Sequence, residues 1–350
     1  MQPEARESRE DPKASSAAAR EAERPRTKFA SGSSQLSRLR RRVARSPRQP
    51  KGGELYSTPG MLRRGERVVP YILILPALAI VFFLLVYPIF YGAYLSLYGQ
   101  VPGDLSLTGE FVGFQQYFDL WETEQFRWAV VRSLIYVIGI WGLGIGVGLL
   151  GALTLSQIHK GKRLWRALAL MPYLFSTVAV GVSWRFFLNR DAGLVNQVLS
   201  LFGIDGPAYL ASSLLALPSV IIAMVWAFSP LPTLVLLAGF ENLNPEIEES
   251  CKVDGAKPRQ RFRHITLPLI APQVGIASFW LLFIAFNTFA VVLPMTGGGP
   301  GRSSEPLALY LYRVGFQQMD VNAASAVMVV LLVLNITLGA LAVVLSRRRD

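Results

Sequence analysis

"EESCKVDGAKPRQRFRHITLP" (residues 248–268) is a charged stretch set between two of the most apolar parts of the chain. Uncharged sequence resumes at Ile265 and continues to Gly301. A soluble domain spreads its charges over its surface, whereas here they gather in short segments separated by long apolar runs. The 350 residues are 52% hydrophobic and 17% charged, with a mean hydropathy of +0.37. That balance is too apolar for an ordinary soluble domain.

Working outward from the stretch, six windows lack any charged side chain: 68–101, 133–158, 167–184, 206–240, 265–301 and 321–346. Each reaches the roughly 18 residues that a helix needs to cross a hydrocarbon core about 30 Å thick. They predict an all-α integral membrane protein with six transmembrane helices. Residues 68–350 form the membrane domain in this reading, and 241–268 is its principal loop. Windows 206–240 and 265–301 exceed one span, so Gly/Pro-rich flanks such as TGGGPG (296–301) are placed outside the lipid. Pro76, Pro88, Pro230 and Pro232 predict kinks whose freed carbonyls find internal partners. Gly142, Gly144, Gly146 and Gly148 predict close helix packing.

Basic residues near span ends are retained on the cytoplasmic side. One set of connecting segments carries Lys160, Lys162, Arg163 and Arg166, then Lys252, Lys257, Arg259, Arg261 and Arg263, then Arg347, Arg348 and Arg349. The alternate set carries Arg127, Arg190, Arg302 and Arg313, with Arg132 and Arg185 at span edges. The quoted stretch and both termini are therefore expected to be cytoplasmic. Residues 1–67 are rich in Arg, Ser, Ala and Pro and supply most of the chain's net charge of +12. Such a composition buries too little apolar surface to offset its ordering entropy, which predicts a disordered basic tail. LSRLRRRVAR (36–45) admits a second reading, an amphipathic patch on anionic lipid.

The composition also excludes function classes. Proton- or sodium-coupled transporters and voltage sensors place ionisable groups within the bilayer, and the six windows have none. With one cysteine, Cys251, and two histidines, His159 and His264, there is no metal-ligand cluster and no nucleophile–base pair. No catalytic, metal or cofactor-binding residue is expected, and no nucleic-acid partner. The sequence has no GxxxxGK[ST] phosphate loop. Active work would therefore draw its energy from another subunit.

Within 241–268, Asn244 suits a helix N-cap, Pro245 the first helical position, and Glu246, Glu248 and Glu249 the electropositive first turns. Gly255 stands where a left-handed terminating residue belongs, and Pro258 opens a second short helix. Ile247 and Cys251, four apart, share a face. This describes either a docking knob or a solvated loop helix.

The residues resemble a known family. EESCKVDGAKPRQRFRHITLPLIAP (248–272) is similar to the cytoplasmic signature loop of bacterial binding-protein-dependent ABC importers, through Glu249, Asp254, Gly255, Ala256, Ile265, Leu267 and Pro268. Ser250 and Cys251 replace two alanines of that pattern, and both are small. MTGGGPGRSSEPLALYLYRVGF (295–316) and FVGFQQY (111–117) resemble loops of the first permease subunit of carbohydrate importers of the maltose and glycerol-phosphate kind. Gln116 stands where Asn is common there, and Ala290 where Asp is frequent.

The resemblance implies a type I ABC importer permease in a bacterial inner membrane. Its implied partners are membrane lipid, a second permease subunit, two cytoplasmic ATP-binding subunits and an extracytoplasmic solute-binding protein. Glu249, Ser250, Cys251, Asp254, Gly255 and Ala256 would form the coupling helix that sits in a cleft of the ATPase. Trp226, Phe286, Asn287 and Phe289 are the substrate-path candidates, since sugars favour aromatic stacking beside a few hydrogen-bonding groups. A non-sugar solute such as a polyamine or phosphate ester stays open, as does a non-transporting scaffold or sensor.

Overall fold

The computed structural model describes residues 69–99, 109–287 and 289–347. The expected tail at 1–67 and the amphipathic patch at 36–45 lie outside them. The chain separates into units 1–75 and 76–350. Of the first unit only 69–75 are described, and they are helical. Every regular element among the described residues is a helix. An isolated antiparallel bridge joins Tyr98 and Phe111.

Six membrane spans emerge, three continuous and three bent. The continuous ones are Leu73–Leu95, Glu124–Gln157 and Val321–Leu341, the first, second and sixth in order. The second begins before its uncharged window, so Arg127 and Arg132 ride on its first turns. The third span pairs Lys162–Leu174 with Thr177–Phe187 at 90°, the fourth Ala216–Phe228 with Pro230–Glu241 at 48°, and the fifth Pro258–Leu269 with Ala271–Asn287 at 71°.

Proline chemistry accounts for several of these departures from straight helices. Pro230 cannot donate to the carbonyl one turn back, and the fourth span bends just before it. Pro172 lies in the 3₁₀ turn Met171–Leu174, after which Phe175 and Ser176 become extended and the third span turns. Pro88 and Pro268 each follow a π-helical turn, Phe82–Val86 and Phe262–Thr266, in which the backbone widens to re-pair its carbonyls. Pro76 sits inside Val69–Val81 without ending it.

The second span is the organising element. A Cβ on Gly144 would meet Leu281 Cδ1 at 2.9 Å, and one on Gly148 would meet Pro232 Cβ at 3.0 Å and Thr233 N at 3.4 Å. These two glycines, four apart, let the fourth and fifth spans approach closely, as small residues do where lipid supplies no hydrophobic drive. Gly142 and Gly146 correct the expectation: a Cβ on either meets nothing within 4 Å. At about 100° per residue they point to the other side of the helix. Gly139 and Gly151 extend the packing seam instead, against Ile221 and Thr233.

The main core gathers Tyr136, Ile140, Val220, Met224, Leu281, Met295, Leu307 and Leu309 from spans two, four and five and the segment before span six. Two hydrogen bonds fasten that segment to the second span. Tyr136 Oη–H donates to Ser304 O at 3.2 Å, and Leu307 N–H donates to Ser133 Oγ at 2.7 Å.

Candidate functional site

The charged stretch folds as its local chemistry predicts. Asn244 caps the helix Pro245–Val253, its Oδ1 accepting from Glu246 N–H at 3.0 Å. The other end closes in a Schellman arrangement. Ala256 N–H donates to Cys251 O at 3.1 Å, Gly255 N–H donates to Lys252 O at 3.2 Å, and Gly255 adopts φ +74°. Pro258–Arg261 follows as a second short helix, with Lys257 N–H donating to Gln260 Oε1 at 3.0 Å.

Of the coupling candidates, Glu249, Ser250, Asp254 and Gly255 are exposed, while Cys251 and Ala256 are half-buried. Ser250 Oγ donates back to Glu246 O at 2.8 Å, so its hydroxyl is held on the helix. Val253 is 88% exposed at the turn. A Cβ on Gly255 would meet nothing within 4 Å. The result is a bent pair of helices with an apolar tip and a carboxylate on its flank. At the root, Glu241 forms ion pairs with Arg166 and, at 3.6 Å, with Lys162. The loop is thereby tied to the start of the third span.

The four substrate-path candidates fall into different settings. Trp226 is part-exposed and lies against Phe175 and Trp184, with ring centroids 6.3 and 6.1 Å away. Phe286 is 3% exposed and packs in the main core. Asn287 is exposed, and its Nδ2 donates to Phe283 O at 2.8 Å and to Asn335 Oδ1 on the sixth span at 2.9 Å. Phe289 stacks on Tyr312 at 5.3 Å, and Tyr312 on Phe316 at 5.3 Å. Asn335, Tyr312 and Phe316 were missed by sequence reasoning. Only Asn335 carried a signal, a lone amide in the middle of the last uncharged window.

Glu305 was likewise missed. It lies in the loop before the sixth span yet is fully enclosed. Arg313 Nε is 3.0 Å from its Oε1, and Arg302 Nε is 3.7 Å from its Oε2. Burial pushes its carboxyl above the ordinary carboxylate range, against the opposing pull of Arg313, Arg302 and Arg132. Arg313 also donates to Gly297 O, and Ser304 Oγ–H donates to Gly299 O at 2.7 Å. The loop is thus folded around an ionic centre.

Six spans, three of them bent near prolines, close glycine seams and a loop that presents a short capped helix define a multi-span membrane permease. The chain belongs to the family of binding-protein-dependent transport system inner membrane components, whose model matches residues 66–350. The sulfoquinovosyl glycerol transport system permease protein SmoG of Agrobacterium fabrum is 31% identical over 82% of this chain and 92% of its own length. The sn-glycerol-3-phosphate transport system permease protein UgpA of Yersinia pseudotuberculosis is 30% identical over 77% and 91%. The crystal structure of a bacterial ABC transporter that imports the polysaccharide alginate shares the fold, with a TM-score of 0.68 over 81% of this chain and 96% of that one, at 24% identity.

Proposed function

We propose that this permease forms the membrane path for a carbohydrate and is driven by separate cytoplasmic ATPase subunits, to which it couples through residues 241–268. A solute-binding protein delivers the sugar on the opposite side, and a second permease subunit completes the path. Both termini and the coupling loop lie in the cytoplasm, a reading supported by the distribution of Lys and Arg. Residues 1–67 act as a separate basic tail.

The observation that carries the coupling role is the capped helix pair itself. Its first helix, Pro245–Val253, is closed at its start by Asn244 and at its end by the left-handed Gly255, which turns the chain into Pro258–Arg261. Its exposed surface combines Val253 with the Glu249 carboxylate. An apolar tip beside a charge offers a partner cleft both buried area and a fixed register. When ATP closes the ATPase pair, the push on this knob passes through its root at Glu241 to the third and fourth spans. The carbohydrate assignment is supported by the polyhydroxylated solutes named for the two relatives, by Trp226 lying against Phe175, and by the Phe289–Tyr312 stack and the Asn287–Asn335 amide pair.

The test uses the reconstituted importer. Gly255→Asp puts a side chain on a left-handed backbone, costing about 1–2 kcal/mol locally, and adds charge where the partner must approach. Glu249→Lys reverses the charge of the docking surface. Both variants insert normally and lose substrate-stimulated ATP hydrolysis, and Gly255→Asp also weakens pull-down of the ATPase subunit. Full stimulation in both would leave the segment a solvated loop and end the coupling proposal.

A further inference from the structure

The fifth span is followed by a break in helical structure at 289–291. Its helix ends at Asn287, and helical structure resumes at Val292. Asn287 donates to Asn335, which follows Val321 by fourteen positions in a helix of 27 residues. That places the amide pair near the middle of this helix and of the uncharged window 321–346, a depth that belongs to the bilayer interior in a spanning helix. A helix that breaks at this depth exposes carbonyls that lipid cannot satisfy. Such breaks are tolerated where they face protein or a water-filled cavity, and transport sites recur at them.

The pair is also incompletely used. Asn287 Nδ2 spends both donors, on Phe283 O at 2.8 Å and on Asn335 Oδ1 at 2.9 Å. Asn335 Nδ2 spends one, on Leu331 O at 2.8 Å. Among the described residues, Asn287 Oδ1 has no donor and the second N–H of Asn335 has no acceptor. Each side chain has its orientation fixed by its own helix, leaving one acceptor and one donor on the hydrogen-bonded pair. Neighbouring hydroxyls of a sugar offer the complementary donor and acceptor. Two residues beyond Asn287, Phe289 begins a stack that continues through Tyr312 to the exposed Phe316, rings of the kind that bind sugar faces.

From this juxtaposition we infer that Asn335 is a solute-contacting residue. Paired with Asn287 at the helix break, it lines the water-filled path in mid-membrane and presents a donor and an acceptor to sugar hydroxyls. The aromatic stack of Phe289, Tyr312 and Phe316 forms the adjoining wall. The inference rests on the transport reading above and deepens it by naming the polar subsite.

The alternative occupants of this face are lipid and the second permease subunit, and water accessibility separates them from a solute path. The probe is methanethiosulfonate ethylsulfonate, an anionic, membrane-impermeant thiol reagent, applied to the assembled importer in proteoliposomes during ATP turnover. Adducts are mapped by peptide mass spectrometry, which counts the native Cys251 separately. Asn335→Cys is expected to react at least tenfold faster than Val333→Cys and Ile336→Cys, whose parent side chains are exposed apolar positions on the same helix. Asn287→Cys is expected to match it, and it supplies the reading should Asn335→Cys fail to assemble. Rates no faster than at 333 and 336, in complexes that still hydrolyse ATP on stimulation, would overturn the inference and leave the importer reading standing. Loss of ATPase association in the unmodified chain would instead remove the transport reading itself.

Discussion

Glu305 concentrates the electrostatics of the loop before the sixth span in one carboxyl. Its raised pKa means that the folded chain binds this proton more tightly than the unfolded chain does, where a glutamate titrates near 4.3. Stability from this group is therefore fully present below the ordinary carboxylate range and is lost as pH rises through the raised value. The melting temperature of the detergent-purified chain should carry a component that falls across that window, and Glu305→Gln should abolish it. Persistence of the same slope in the variant would assign the pH dependence to another group. Glu241 makes a contrasting case, because its ion pairs with Arg166 and Lys162 are part-exposed. Such pairs contribute about 0–1 kcal/mol, so Glu241 matters for where the 241–268 loop starts more than for stability.

Between helices, backbone approach decides the energetics. Gly148 faces Pro232 and the backbone N of Thr233, which cannot swing aside as a side-chain end can. Gly148→Ala should destabilise the purified chain by about 1–3 kcal/mol through overpacking. Gly146→Ala, on the open side, should change stability by no more than about 1 kcal/mol. Thermal unfolding of both variants in one detergent checks the pair, and equal losses would remove the seam described here. The bent spans follow the same local logic. Pro230 ends one helix and begins another, and the fourth span still packs along the second on both sides of the bend, at Ile221 against Gly139 and at Thr233 against Gly151.

For the whole molecule, the membrane domain and the region before it are separable by composition. Deleting residues 2–60 should leave insertion and transport nearly intact, because the first described helix begins at Val69 and low-apolar terminal segments tolerate truncation. Measured uptake in cells carrying the shortened chain tests this, and loss of assembly would give the basic region an obligatory partner. Much of the architecture was legible in the residues themselves. Uncharged windows marked the spans because charge is costly in hydrocarbon at any fold. Asn244, Gly255 and Pro258 set the helix pair of the 241–268 loop because capping and left-handed backbone are properties of neighbouring residues. The remaining features depend on elements far apart in the chain. Nothing beside Glu305 in sequence separates it from a solvated loop carboxylate; its enclosure comes from the helices that close around the loop. Gly144 and Gly148 look like Gly142 and Gly146 until neighbouring spans choose a face. Asn287 and Asn335 stand 48 positions apart, and only the docking of the fifth span on the sixth brings their amides into one hydrogen-bonded pair.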